Sequence, residues 1–248
     1  MLQDVATKKV TAEELAKIVT YLKSKQAIKL DLPDSIDIVT SLDRINTSTL
    51  TSLKLASMVK VAKHNNASSG KFSFDLIERL YKIPTTTEEV LKEYEEKNIA
   101  FLYAKKFFPF MKEFAQARIA YGKPTIFNIL PLLCPANSNH QMIGCSFEDK
   151  MELMIETCKI LKKRIMIVRE DLDEVTITKT KVYELKDTIK DFYFTPDYFF
   201  KEAKLDDILE KDIEKKVEIA KKIIAEKVAY SDLVNINVLA AYYLLKNF

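Results

Sequence analysis

Glycine is nearly absent from this chain, and that scarcity limits its fold more than any other feature. Among 248 residues only Gly70, Gly122 and Gly144 are glycine, beside seven prolines. Sandwiches and barrels need many tight turns, and glycine supplies the positive φ those turns demand. The sequence therefore argues against an all-β architecture. It also excludes a P-loop and a dinucleotide fingerprint, which need several glycines at fixed spacing. A hydrophobic fraction of 48% with 30% charged residues gives a core and a solvated surface, so the chain is neither disordered nor fibrous. Its length suits one large domain or two joined lobes.

The apolar periodicity is mostly helical. Thr11-Ala12-Glu13-Glu14 reads as a capping box, followed by one stripe of Leu15, Ile18, Val19 and Leu22. Asp34 can cap a helix bearing Ile38, Val39 and Leu42, and Leu55, Met58, Val59 and Ala62 mark a helix over 50–63. A polar loop, His64 to Gly70, precedes a helix over 71–82 that Pro84 ends. Thr85-Thr86-Thr87-Glu88 starts the next helix. Ile99 through Tyr121 reads as a buried helix broken by Pro109. From Gly122 to Phe147 the prolines and asparagines mark a long irregular connection and a lobe boundary.

Beyond it, Met151 to Leu161 forms a helix ending in a basic block, and Val175-Thr176-Ile177-Thr178 alternates as a short β-hairpin would. Leu205 to Lys227 and a segment capped by Ser231 complete the helices. The expected architecture is all-α and two-lobed, with a short β-hairpin near 175–183. Residues 1–33 form an N-terminal arm, 34–123 one lobe and 124–248 the other.

The 39 basic and 36 acidic side chains leave a net charge of +3, but the cations concentrate in the middle of the chain. Such a distribution permits a polyanion-binding face, although ordinary solvated lysines on helices give the same pattern. Cys134, Cys145 and Cys158 are odd in number and widely spaced, which disfavours zinc and disulfides and fits a reducing compartment. No secretory signal opens the chain, and no apolar run reaches the ~18 residues of a membrane span.

Catalytic chemistry is hard to assemble from this inventory. The two histidines, His64 and His140, fall in polar stretches, and Cys145 with His140 is the nearest nucleophile pair in sequence. Asp171-Leu172-Asp173-Glu174 could hold a divalent cation but lacks the glycine and spacing of an EF-hand. The expectation is a protein without enzymatic activity, cofactor or metal. Binding remains: cations that track phosphates, interleaved with aromatics on which bases stack. Phe101, Tyr103, Lys105, Lys106, Phe107, Phe108, Arg118, Tyr121 and Lys123 show that interleaving, and a core role explains the phenylalanines equally well.

Three segments of the middle region carry a resemblance. They are Met58-Val59-Lys60-Val61-Ala62-Lys63 with Gly70-Lys71 and Leu80-Tyr81-Lys82-Ile83, then Ile99 to Phe107-Phe108-Pro109, then Pro135-Ala136, His140-Gln141-Met142 and Ser146-Phe147. In order and spacing they resemble the nucleoproteins of phlebovirus-like and tenuivirus-like RNA viruses. The resemblance implies an RNA groove between two helical lobes and an N-terminal arm docking on the neighbouring protomer. The partners it implies are single-stranded RNA, further copies in a ring or filament, and a viral polymerase, with no membrane insertion. The implied location is the virion and host cytoplasm. RNA binding would fall to Lys60, Lys63, His64, Lys71, Tyr103, Lys105, Lys106, Arg118, Lys123, Lys163 and Arg164, with Lys60, Lys63, Lys71, Lys105, Lys106, Arg118 and Lys123 neutralising phosphates. Oligomerisation would fall to Leu15, Ile18, Val19 and Leu22. A coat protein of a flexible filamentous virus and a helical scaffold without nucleic acid are the alternatives, with an enzyme using Cys145 last.

Overall fold

Apolar runs that read as buried helices fold instead as strands. The computed structural model describes residues 10–40, 47–65, 73–81, 83–84, 86–114, 120, 133–145, 148–169, 180–186, 188–194, 212–225 and 230–246. Seven strands, β1 (Ile36–Thr40), β2 (Val61–Asn65), β3 (Ile99–Tyr103), β4 (His140–Gly144), β5 (Arg164–Arg169), β6 (Thr180–Leu185) and β7 (Ile189–Phe194), form one sheet in the order β3-β2-β1-β4-β5-β6-β7. The first five pair in parallel, and β6 and β7 add antiparallel. The all-α expectation is thus overturned: the fold is α/β with a mixed sheet. Strands drawn from both sides of residue 123 share that sheet.

The physical reason for the misreading is double-sided burial. A parallel strand covered on both faces shows a continuous apolar run rather than alternation, and a run that short looks like a slice of buried helix. In β5 the side chains of Ile165, Met166, Ile167 and Val168 are all fully buried, with Ile165 and Ile167 in one core and Met166 and Val168 in the other.

Helices cover both faces. One core packs α2 (Thr47–Leu55), α3 (Ser73–Leu80), α7 (Ile213–Ile224) and α8 (Tyr230–Lys246) on the sheet through Leu50, Leu55, Leu76, Ile77, Val217 and Leu233. The other packs α1 (Ala12–Ser24), α4 (Thr87–Lys97) and α6 (Glu148–Ile160) through Leu15, Val19, Val90, Tyr94, Met151 and Met154. A short helix, α5 (Ala104–Phe107), follows β3 directly.

Local signals near helix ends were legible. The capping box expected at Thr11 forms: Thr11 N–H donates to Glu14 at 3.1 Å while Glu14 N–H donates to Thr11 Oγ1 at 3.2 Å, and a second box, Thr86 with Glu89, opens α4. The predicted helix over 50–63 stops at Leu55, and β2 begins at Val61. The predicted buried helix from Ile99 starts as β3. Of the hairpin expected near 175–183, residues 175–179 lie outside the described residues and 180–183 belong to β6, which pairs with β7 through Leu185 opposite Ile189.

The stripe on α1 finds its partner within the chain. Leu15 and Val19 are buried against the α6 side of the core, while Ile18 and Leu22 are half-buried. The end of α1 is tethered as well. Lys23 Nζ donates to the carbonyls of Leu133 and Cys134, and Gln26 Nε2 donates to Pro135 O at 2.8 Å.

Helix α6 ends in a Schellman turn. Lys162 takes the left-handed conformation at φ 53°, Lys162 N–H donates to Lys159 O and Lys163 N–H to Cys158 O, each at 3.0 Å. Glycine usually fills that left-handed position, and here a lysine does.

Candidate functional site

The strand order places a topological switch at β1. β2 lies on one side of it and β4 on the other, so the connections depart in opposite directions. Open α/β sheets bind ligands in the crevice outside the carboxyl ends at such a point. Thr40 and Gly144 are the register partners at those ends.

Helix α2 opens beyond β1 with hydroxyl side chains. Thr47, Ser48, Thr49, Thr51 and Ser52 are all buried. Lys63, in β2, is the largest fully buried side chain among the described residues, and its Nζ donates to Ser48 Oγ at 2.9 Å and to Ile38 O at 2.7 Å. Thr49 Oγ1 and Thr51 Oγ1 are buried with no hydrogen-bond partner, a costly state for a hydroxyl. A helix N-terminus with an adjacent lysine and hydroxyl donors suits an oxyanion such as phosphate. The intervening residues 41–46, Ser-Leu-Asp-Arg-Ile-Asn, include no glycine. A Cβ on every residue limits close backbone approach to a phosphate, which shifts the task to side chains.

A second polar constellation lies on the other face, since consecutive strand residues alternate. His64 follows Lys63, and its Nδ1 is 2.9 Å from Asp37 Oδ1 and 2.8 Å from Oδ2. Gln141 Nε2 donates to Asp37 Oδ2 at 2.9 Å, and Lys163 Nζ donates to Gln141 Oε1 at 2.8 Å. Burial alone would raise the Asp37 carboxyl. The His64 ring, the hydrogen bonds from His64 and Gln141, and Lys63 outweigh that and hold it below its ordinary value. Asp37 is therefore an ionised acceptor, and His64 Nδ1 carries the proton between them.

The sequence-predicted residues divide between the two ends of the strands. Lys60, just before β2, is ion-paired to Glu95 at 3.0 Å and stacks over the Tyr94 ring. Exposed Arg164 opens β5 at the same amino-terminal edge. Half-buried Tyr103 closes β3 at the carboxyl edge, with exposed Lys105 over its ring and exposed Lys106 beyond it. Lys63, His64 and Lys163 point into the interior networks above. Lys71, Arg118 and Lys123, like the acidic run 171–174, lie outside the described residues. The described cations thus form no single track.

The low-ranked Cys145–His140 pair separates as well. The two flank β4 at its opposite ends, about 16 Å apart at strand rise. All three cysteines are buried and none is in a disulfide, and burial pushes Cys158 up to about 12 and raises Cys134. These are packing thiols. Among the described residues no group of three His, Cys, Asp or Glu could hold a metal.

Sequence reasoning missed Asp37, Gln141 and the hydroxyls of α2. One signal was available: a carboxylate between Ile36 and Ile38 inside an apolar run must have a buried partner.

Comparison with known proteins agrees with this geometry. The chain is 36% identical over 221 residues to the anthranilate phosphoribosyltransferase of Caldicellulosiruptor saccharolyticus, covering 84% of this chain and 66% of that protein. It is 36% identical over 210 residues to that of Pyrococcus furiosus, covering 80% and 64%. The chain thus spans just under two thirds of the length of these relatives. Among solved structures, the anthranilate phosphoribosyltransferase of Thermus thermophilus superposes with TM-score 0.84 at 26% identity, covering 96% of this chain and 76% of that one. The Saccharomyces cerevisiae enzyme in complex with PRPP and Mg superposes with TM-score 0.80 at 22% identity, covering 96% and 71%, a likeness of fold.

These relatives are cellular enzymes, which overturns the nucleoprotein resemblance. With it fall the expectation of no enzymatic activity, the RNA, self-assembly and polymerase partners, the virion location, and the coat-protein and scaffold alternatives. Short apolar-basic segments matched in order, but Val61–Lys63, Ile99–Tyr103 and His140–Met142 lie in strands β2, β3 and β4 rather than in helices around a groove. The family model described as "Glycosyl transferase family, a/b domain" matches residues 34–248, and the chain belongs to that family.

Proposed function

We propose that this chain transfers a phosphoribosyl group from PRPP to the amino group of anthranilate or a closely similar aromatic amine. The observation that carries the reading is the anion-binding corner at the switch point, where Lys63 meets Ser48 at the start of α2. A phosphorylated donor seats its charge against that helix end, the lysine and the unpartnered hydroxyls of Thr49 and Thr51. The amine attacks the ribose carbon that bears the diphosphate. The new C–N bond forms as the C–O bond breaks, and the electron pair leaves with diphosphate. The amine must also shed a proton. His64 is suited to accept it at Nε2, because Asp37 holds the other ring nitrogen as a donor.

The Mg that accompanies PRPP in the yeast enzyme finds no ready cage among the described residues. Magnesium is commonly held by one or two carboxylates together with substrate phosphates. In this chain Asp171, Asp173 and Glu174, next in sequence after β5, are the carboxylates of choice.

The test is calorimetric titration with PRPP and Mg, followed by loss of anthranilate fluorescence on mixing all three. Saturable PRPP binding with fluorescence loss supports the reading, and Lys63→Met weakens both. Absence of PRPP binding by the folded wild-type chain refutes it.

A further inference from the structure

An open cavity of about 560 Å³ lies between the last turns of α1, the segment leading into β1 and the loop before β4. These are the amino ends of the strands, so the cavity is about a strand length, ~16 Å, from the switch point. Its lining is polar apart from Leu30.

The wall on the β4 side is fixed in place. Cys134 and Asn137 both take positive φ, 35° and 55°, and for the cysteine that is a strained conformation. Such strain persists only where the surroundings over-determine it, and it gathers at ligand sites. Here Lys23 Nζ donates to the carbonyls of Leu133 and Cys134, and Gln26 Nε2 donates to Pro135 O. Leu32 N–H donates to Ala136 O at 2.7 Å, and Asn137 Nδ2 to Asp31 Oδ1 at 3.2 Å.

The donor and acceptor inventory then says what the cavity can take. Lys23 has three N–H groups and commits two to those carbonyls, which leaves one. Gln26 commits both amide hydrogens, to Ile28 O and Pro135 O, which leaves its oxygen. The Thr20 and Ser24 hydroxyls donate back to Ala16 O and Tyr21 O, so they present lone pairs. Lys29 and Asp31 bring opposite charges to the same cavity, and among the described residues no ion pair joins them.

We propose that this cavity binds a free α-amino acid. Lys29 and the remaining Lys23 N–H take the carboxylate, and Asp31 with the Gln26 amide oxygen takes the ammonium. A simple anion would bring a second negative charge beside Asp31, and a simple cation would meet two lysines. A ligand carrying both charges satisfies both sets. The polar lining favours a small or polar side chain on that ligand. The site does not rest on the transferase reading, because none of its residues belongs to the switch-point corner.

Thermal unfolding in the presence of each common free amino acid at millimolar concentration tests it, followed by calorimetric titration of the one that raises the midpoint most. The expected result is saturable binding at one site per chain, at least tenfold tighter than that of acetate or methylammonium, each of which carries only one of the two charges. Lys29→Met and Asp31→Asn, both at exposed positions, should each weaken amino-acid binding about tenfold at unchanged circular dichroism. Absence of a midpoint shift with every amino acid would overturn the proposal. Acetate binding as tightly as the amino acid would do the same, and so would amino-acid binding that neither variant weakens.

Discussion

The two halves of the sheet use the same residue types to opposite effect. In the parallel half, Asp37 and Lys63 are buried to 1% and 0% exposure, and every contact they make is interior. In the antiparallel half, Lys181 and Asp191 also pair, at 3.1 Å, but their side chains are 28% and 57% exposed. Water solvates the second pair whether or not it forms, so its net weight is small. No water reaches the first set, so removing one member strands the others. Among the described residues, the parallel half holds its donors and acceptors fixed and the Lys181–Asp191 pair does not.

The largest effect expected from this contrast comes from Asp37→Leu. It orphans Gln141 Nε2 and His64 Nδ1 and should cost about 3–5 kcal/mol in urea unfolding. Lys181→Ala, in the other half, should leave the urea midpoint unchanged. Equal effects from the two substitutions would end the comparison. Conversely, Thr49→Val removes a buried hydroxyl that has no partner. It should raise stability by about 1 kcal/mol while weakening PRPP binding in calorimetry, a trade expected only where the hydroxyl waits for a ligand.

Next in size is a backbone effect at the end of α6. Lys162 holds φ 53°, a conformation that costs a non-glycine residue about 1–2 kcal/mol. Lys162→Gly should recover about 1 kcal/mol in the same unfolding assay.

A pH dependence is expected as well. Burial lowers Lys23 to about 8 from 10.5, with Lys163 and Lys29 contributing against Cys134 and Asp37. Between those two values the unfolded chain binds the proton and the folded chain does not. Stability therefore rises from about pH 8 to 10.5 relative to a Lys23→Met variant. Paired denaturation curves across that window should diverge in this direction; parallel curves would show Lys23 to be solvated.

Legibility of the fold followed the range of the interaction. The caps at Thr11 and Thr86 were readable because both partners lie three residues apart. The helix at α3 and its end near Pro84 were readable for the same reason. Strands β2, β3 and β5 were not, because burial on both faces removes the alternation that marks a strand. Scarce glycine was a misleading guide here. It excludes turn-rich β folds, but parallel strands are joined by long crossovers rather than tight turns. The candidate site was half legible. Lys63, His64 and Lys163 stood out as polar residues, yet as surface cations, whereas each is held inside by a partner from another strand or helix.

By itself the sequence determined the caps at which α1 and α4 begin, which side chains are apolar enough to form two cores, and that no glycine-rich phosphate loop exists. Those properties depend on residues within one helical turn or on composition. Tertiary structure alone decided that short apolar runs lie side by side as a parallel sheet. It alone brought Asp37 to Gln141, 104 residues away. Whether a buried carboxylate becomes an ionised, ordered acceptor depends on the partners that the fold delivers to it, and those partners come from distant points of the chain.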